Sequence, residues 1–353
     1  MTWPALLLAD PSPCLRWLVL RDLFRRPVDD PELKELAPQR VSDPIVMEVL
    51  ALQDTDGSWP AGVLALGRAG GSRTQMTAIA LARLGYLGFD GTHPAVARAA
   101  RYLFSKQRLD GSWPLGEDYA LTDGSAELPI KERYSMIPLQ TAFPLRGLAA
   151  CGYACDPRAE RAYEWLLAQR LPDGAWPTGM AAGVYGYVGG YRRLAHSRWG
   201  CRSNTTGALI CLALHPERRT SEPAHRALDH LLGRETKEAY AVGYEVARLT
   251  GAEMPRGFLT YFARFDLGLV LDLCARVGIS KDDPRVTDLV SFVGSLQGKY
   301  GLWEYRARPQ VSRWLTFDLM RAMELLDKGG GWIGLEPRTP FRPYPKRDRI
   351  KSR

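Results

Sequence analysis

Leu52-Gln53-Asp54-Thr55-Asp56-Gly57-Ser58-Trp59-Pro60 returns twice almost unchanged, as Gln107-Arg108-Leu109-Asp110-Gly111-Ser112-Trp113-Pro114 and Gln169-Arg170-Leu171-Pro172-Asp173-Gly174-Ala175-Trp176-Pro177. Gln297-Gly298-Lys299-Tyr300-Gly301-Leu302-Trp303 is a worn further copy. Trp59 and Trp113 are 54 residues apart and Trp113 and Trp176 are 63 apart, while the 127 from Trp176 to Trp303 are close to two periods. A degenerate copy is therefore expected near Tyr240, and a fixed period of this size implies stacked supersecondary units. Each copy follows a helix-like run opened by Asp-Pro or His-Pro. The Gln closes the helix, Asp-Gly makes the turn and Trp-Pro begins the return.

These residues resemble the Gln-Trp motif of the prenyltransferase and squalene cyclase repeat family, over roughly residues 12 to 328. The resemblance implies an all-α fold, a single (α/α)6 toroid with two concentric rings of helices. For the motif itself the structural role is expected, a turn with an aromatic clamp that staples outer helices. Asp54-Thr55-Asp56 is accordingly read as part of the turn and not as an acidic catalytic motif.

The chain has 353 residues, 46% of them hydrophobic. No linker-like break interrupts the repeat, so one toroid domain is expected over residues 1–328, with a Pro-rich basic tail at 329–353. The six cysteines show no Cys-x-x-Cys spacing, which points to reduced thiols and a cytoplasmic setting. No secretory signal or membrane-spanning run is legible. The net charge is +8, and the tail supplies seven Lys and Arg against Glu336 and Asp348. A basic tail of this kind is a solvated or docking segment, and nucleic acid is not expected as a partner.

Helices apolar nearly all round belong inside, and those with a charged stripe outside. The inner helices are expected from Ser12, Thr74, Ser135, Asn204, Phe258 and Ser312. Thr77, Thr141, Thr205 and Thr316 are each followed by Leu or Met at four and seven residues, one helix face. The same overlay places Arg16 and Asp266 in the first and fifth helices. Two readings stay open for this layer: it lines a central cavity, or its Thr hydroxyls bond back to the backbone and face neighbouring helices.

The segments entering the inner helices carry Arg68 and Arg73; Lys131 and Arg133; Arg192, Arg193, Arg198 and Arg202; Arg256; and Arg306, Arg308 and Arg313. If they meet at one rim beside the helix N-termini they offer an anion site. Arg73, Arg133, Arg202 and Arg313 are the candidates for a ligand's head, and Thr178–Ser203, long and rich in Gly and Tyr, for a flap.

The family resemblance implies an isoprenoid or similar apolar anionic ligand, a prenyl diphosphate being one example. It also implies a test, because the acid-initiated cyclases of the family use an Asp-x-Asp-Asp motif, and none occurs here. Asp29-Asp30-Pro31 and Asp282-Asp283-Pro284 read as helix starts. Asp266, flanked by Phe262, Phe265 and Leu267, is the candidate catalytic acid, its other reading being an ion pair with Arg16 or Arg264. The prenyltransferases of the family hold zinc; Cys201 and His196 lack the ligand spacing, so neither a metal nor a cofactor is expected. The alternative to an enzyme is a non-catalytic toroid used as a binding or interaction scaffold.

Overall fold

The computed structural model describes residues 3–65, 71–113, 137–178, 180–181, 184–185, 192–194, 196–233, 240–255, 257, 260–298 and 300–328. Its helices are α1 (Trp3–Leu8), α2 (Pro13–Leu18), α3 (Pro31–Gln39), α4 (Pro44–Leu50), α5 (Arg73–Tyr86), α6 (Pro94–Ser105), α7 (Pro138–Leu148), α8 (Pro157–Ala168), α9 (Arg202–Leu214), α10 (Glu222–Leu232), α11 (Tyr244–Leu249), α12 (Leu267–Val277), α13 (Pro284–Gly294) and α14 (Ser312–Leu326). Proline occupies the first turn in most of the outer helices, where its missing N–H costs nothing, and Asp30, Asp43, Asp156 and Asp283 accept from the backbone as N-caps. The Asp-Pro starts read from the sequence are these caps.

The fold is an all-α toroid. Around its inner ring α5 packs on α7, α7 on α9, α9 on α12, α12 on α14, and α14 on the wide turn Val19–Leu23 that continues α2. Helices α6, α8, α10 and α13 lie outside, each against the inner helices beside it. Inner helices approach closely where a side chain is missing. A Cβ on Gly85 would meet Ala150 at 2.7 Å, and one on Gly147 would meet the Ala78 carbonyl at 2.7 Å. Ring closure near the N-terminus uses the Arg40 guanidinium, stacked 3.8 Å over Trp17 and 4.8 Å over Phe89.

Four Trp turns repeat one geometry. Each Trp is buried, and its indole N–H donates to a carbonyl ten residues earlier: Trp59 to Val49, Trp113 to Leu103, Trp176 to Leu166 and Trp303 to Val293, at 2.7 to 2.8 Å. The backbone N–H of the same four residues donates to Thr77, Thr141, Thr205 and Thr316 at 3.1, 3.2, 2.9 and 3.0 Å. Gln53 and Gln107 extend the staple, each bonding its own turn glycine carbonyl and the first turn of the next outer helix. Gly57, Gly111, Gly174 and Gly301 sit at φ of 89°, 92°, 95° and 76°, the left-handed region that such a turn demands.

The degenerate copy departs as expected. Tyr240 is 38% exposed, edge-on to Phe292, and lies in a short strand, Tyr240–Ala241, paired in parallel with Phe265–Asp266. Where the Trp staple is missing, the outer helices are tied by charge instead, with Arg285 of α13 2.8 Å from Asp229 of α10.

One expected boundary is wrong. The fifth inner helix begins at Leu267 and not at Phe258, because Phe265–Asp266 is extended in the strand pair and the Asp266 carboxylate caps the helix by accepting from Gly268 N–H. The connection before it folds inward as α11, all six of whose residues are buried.

Candidate functional site

A cavity of about 240 Å³ lies inside the inner ring. Its apolar wall includes Ala82 and Gly85 of α5, Ile210 and Leu214 of α9, Leu269 and Leu273 of α12, and Leu315 and Leu319 of α14. Val246 and Leu249 of α11 add to it. Arg21, Arg146, Arg276 and Arg321 bring positive charge to the same wall.

Asp272, Asp318 and Tyr86 line the cavity as well. Arg321 binds Asp318 at 3.0 Å and reaches Asp272 at 3.5 Å and Asp22 at 3.8 Å, while Arg276 holds Asp272 at 2.6 Å. The two carboxyls are thereby set apart. Burial would push Asp272 up, but Arg276 and Arg321 outweigh it and hold the carboxylate below its usual range. For Asp318 burial wins over Arg321, the Asp272 charge adds to it, and the carboxyl is pushed up to about 6. Asp318 is thus an acid that keeps a share of its proton near neutrality, on the cavity wall with its side chain 15% exposed. Glu245 pairs with Arg146 of α7 and with Arg248, and both Glu245 and Arg146 line the cavity, Arg146 with its Nη1 buried and without a hydrogen-bond partner.

Several expected site residues lie elsewhere. The hydroxyls of Thr77, Thr141, Thr205 and Thr316 accept from the Trp turns, so their face looks outward to the outer ring and none of the four lines the cavity. The back-bonding of the second reading is seen at Thr77 and Thr316, which donate to the Arg73 and Ser312 carbonyls, while the partner common to all four is a Trp turn. Asp266 is corrected likewise. Its carboxylate accepts from Gly243, Glu245 and Gly268 N–H, the place in the repeat that Thr fills elsewhere, and it is not part of the cavity wall or of an ion pair with Arg16 or Arg264. Burial raises its carboxyl against these bonds. Arg16, half-buried on α2, is outside the lining too.

The arginine rim is dispersed. Arg73 is exposed and bound to Asp54 and Ser58 of the first Trp turn; Arg202 is buried, donating to the Ala263 carbonyl beside Phe265; Arg313 pairs with Asp10 at 3.1 Å. Arg133, with Arg68, Lys131 and Arg256, lies outside the described residues, as do much of the Thr178–Ser203 flap and the 329–353 tail. The residues missed had a signal: Arg146, Asp272, Arg276, Asp318 and Arg321 are ionisable groups inside otherwise apolar inner helices.

Cys155, Glu160 and His215 form the one cluster of metal-ligand type among the described residues, their ligand atoms within 4.8 Å of one another. His215 Nδ1 accepts from Glu217 and Arg218 N–H, which places the ring proton on Nε2 facing Glu160 at 2.8 Å. A metal at Nε2 would need that proton gone and Nδ1 protonated against two donors, so this set does not fit one. Cys201 is buried, and His196 faces the Gly233 carbonyl at 3.0 Å.

Residues 38–191 match the model of the squalene-hopene cyclase C-terminal domain. The likeness is to the prenyltransferase and squalene cyclase repeat family. The chain is 29% identical over 151 residues to the squalene-hopene cyclase of Zymomonas mobilis, covering 43% of this chain and 21% of that one. It is 36% identical over 107 residues to human lanosterol synthase, covering 30% of this chain and 14% of that one. It thus spans about a fifth or less of the length of these squalene cyclase relatives. Among solved structures, the type II terpene cyclase MstE from Scytonema, as a variant in complex with geranylgeranyl dihydroxybenzoate, aligns at a TM-score of 0.47 and 20% identity over 80% of this chain and 70% of that one. No helix among the described residues is long and apolar enough to cross a membrane.

Proposed function

We propose that the protein binds an isoprenoid or similarly apolar small molecule in the central cavity, with Asp318 as the group that donates a hydrogen bond, or a proton, to it. The single observation that carries this reading is the cavity itself, a chamber of about 240 Å³ whose wall joins an aliphatic surface to paired charges and a carboxyl raised to about 6. A cavity of about 150 Å³ holds a benzene ring, so this one takes roughly ten carbons, or two isoprene units. At about 0.8 kcal/mol per buried methylene and a few kcal/mol lost on association, the affinity falls between about 1 mM and about 10 μM. The squalene cyclase relatives act on isoprenoids, in keeping with this class of ligand, and cyclisation initiated by Asp318 is the reaction the site would support.

The rim also bears on the head group. Arg21, Arg276 and Arg321 each have a carboxylate partner in Asp22 or Asp272, so the ligand needs no formal negative charge to satisfy them. This weakens the expectation of a diphosphate. The scaffold alternative draws on α11, which fills part of the ring as a plug would.

Titrating geraniol and geranyl diphosphate into wild type and a Leu319→Trp variant tests the proposal. Saturable binding by wild type, lost when Trp fills the chamber, is the expected result. No binding, or binding unchanged by the substitution, would assign the toroid to scaffolding.

A further inference from the structure

Arg146 is the one charged residue of α7. It is 7% exposed, it lines the cavity, and its guanidinium lies 5.8 Å from the Phe262 ring and 6.0 Å from the Tyr261 ring. One arm of that guanidinium is engaged, since Nη2 donates to Glu245 Oε1. The other is not: Nη1 is buried and has no acceptor. Glu245 does not serve it, because its second oxygen, Oε2, is taken by Arg248. The Tyr261 hydroxyl feels the Arg146 charge but does not accept from Nη1.

A buried donor without an acceptor has given up its hydration for nothing, and the loss is larger when the donor is charged. The other buried arginine of the wall is better supplied. Arg321 has Asp22, Asp272 and Asp318 around its two terminal nitrogens, with only Nε unmatched. What Arg146 lacks is an acceptor, and because Glu245 already answers its charge a neutral oxygen suffices. A carbonyl suits this place better than a hydroxyl, which would bring a donor of its own to a point where both Glu245 oxygens are in use.

We propose that Arg146 Nη1 holds a carbonyl oxygen of the ligand, so that the cavity takes an isoprenoid ketone or ester in preference to a hydrocarbon of the same skeleton. This rests on the reading of the cavity as a ligand site, and it adds the functional group that the site selects and the residue that selects it. The aliphatic wall supplies affinity for either compound. The guanidinium supplies the difference between them, about tenfold or more for a hydrogen bond from a charged donor.

Limonene, menthol and menthone share one ring skeleton and carry no oxygen, a hydroxyl and a carbonyl respectively. Their binding is measured by headspace partitioning over wild type and an Arg146→Lys variant, at pH 5 and pH 8.5. Wild type is expected to bind menthone about tenfold or more tightly than limonene, with menthol between them. The preference persists at pH 8.5, because the guanidinium does not titrate in this range, whereas Asp318, raised to about 6, has lost its proton there. Arg146→Lys keeps a cation opposite Glu245 but has no second arm, and it lowers the menthone-to-limonene ratio severalfold. Equal binding of the two by wild type overturns the assignment. So does a preference confined to pH 5, which makes Asp318 the donor, or a ratio unaltered in folded Arg146→Lys protein, which means that Nη1 finds its acceptor within the protein. In those cases binding itself remains and the ligand reading stands. Should Arg146→Lys not fold, the pH comparison on wild type decides. Failure of all three compounds to bind wild type removes the ligand reading, and the carbonyl assignment with it.

Discussion

The backbone N–H of Trp113 donates to Thr141 Oγ1 at 3.2 Å, joining an outer turn to an inner helix through the hydroxyl of a fully buried side chain. The same bond recurs at Trp59, Trp176 and Trp303, so it is a property of the repeat and not of one site.

Thr141→Val keeps the shape and removes the acceptor, leaving a buried N–H unsatisfied. A loss of about 1 to 3 kcal/mol is expected, with Thr141→Ser recovering most of it. Urea unfolding of the three proteins measures this, and ligand affinity should be equal in all three.

Asp266→Ala is expected to destabilise by about 2 kcal/mol or more, since it uncaps α12 and frees the Gly243 and Glu245 N–H groups. Asp266→Asn should lie between it and wild type. Were Asp266 the catalytic acid, both variants would lose turnover at unchanged stability, so a melting curve beside any activity assay separates the two roles.

The raised carboxyl of Asp318 predicts a pH slope. Its folded value of about 6 lies above the unfolded value of roughly 3.9, so between them the unfolded chain releases the proton first. Stability from this group therefore falls as pH rises from roughly 4 to about 6, by on the order of 3 kcal/mol at most. Asp318→Asn should be the more stable protein at pH 7 and should lose that part of the slope. Parallel stability curves for the two proteins across this window would contradict the assignment.

Glu245→Gln leaves Arg146 and Arg248 buried without their counter-charge, and a cost of about 3 to 5 kcal/mol is expected. Arg146→Met combined with Glu245→Gln should cost less than the sum of the single changes. Denaturant unfolding of the four proteins closes the cycle; strict additivity would mean that the pair does not hold α11 in place.

The repeat, its four Trp turns, the Asp-Pro helix starts and the failed copy near Tyr240 were all legible in the sequence. Each is local, a turn needing left-handed glycine or a cap needing a carboxylate two or three residues before its donors. The direction of the Thr face was not legible, because an inner helix is apolar on both sides and the spacing of Thr77, Leu81 and Leu84 looks the same whether it faces the ring centre or the outer layer. Nor was Asp318. Its proton affinity depends on burial, on Arg321 and Asp272 and on a hydrogen bond with Tyr86, groups from three helices that lie up to 232 residues from it in the chain. The start of α12 was misplaced for the same reason, since only the pairing of Phe265–Asp266 with Tyr240–Ala241 holds that stretch extended against its apolar pattern. Short-range patterns thus determined the toroid, while burial and charge, which act between residues brought together by packing, decided where its cavity lies and which acid faces it.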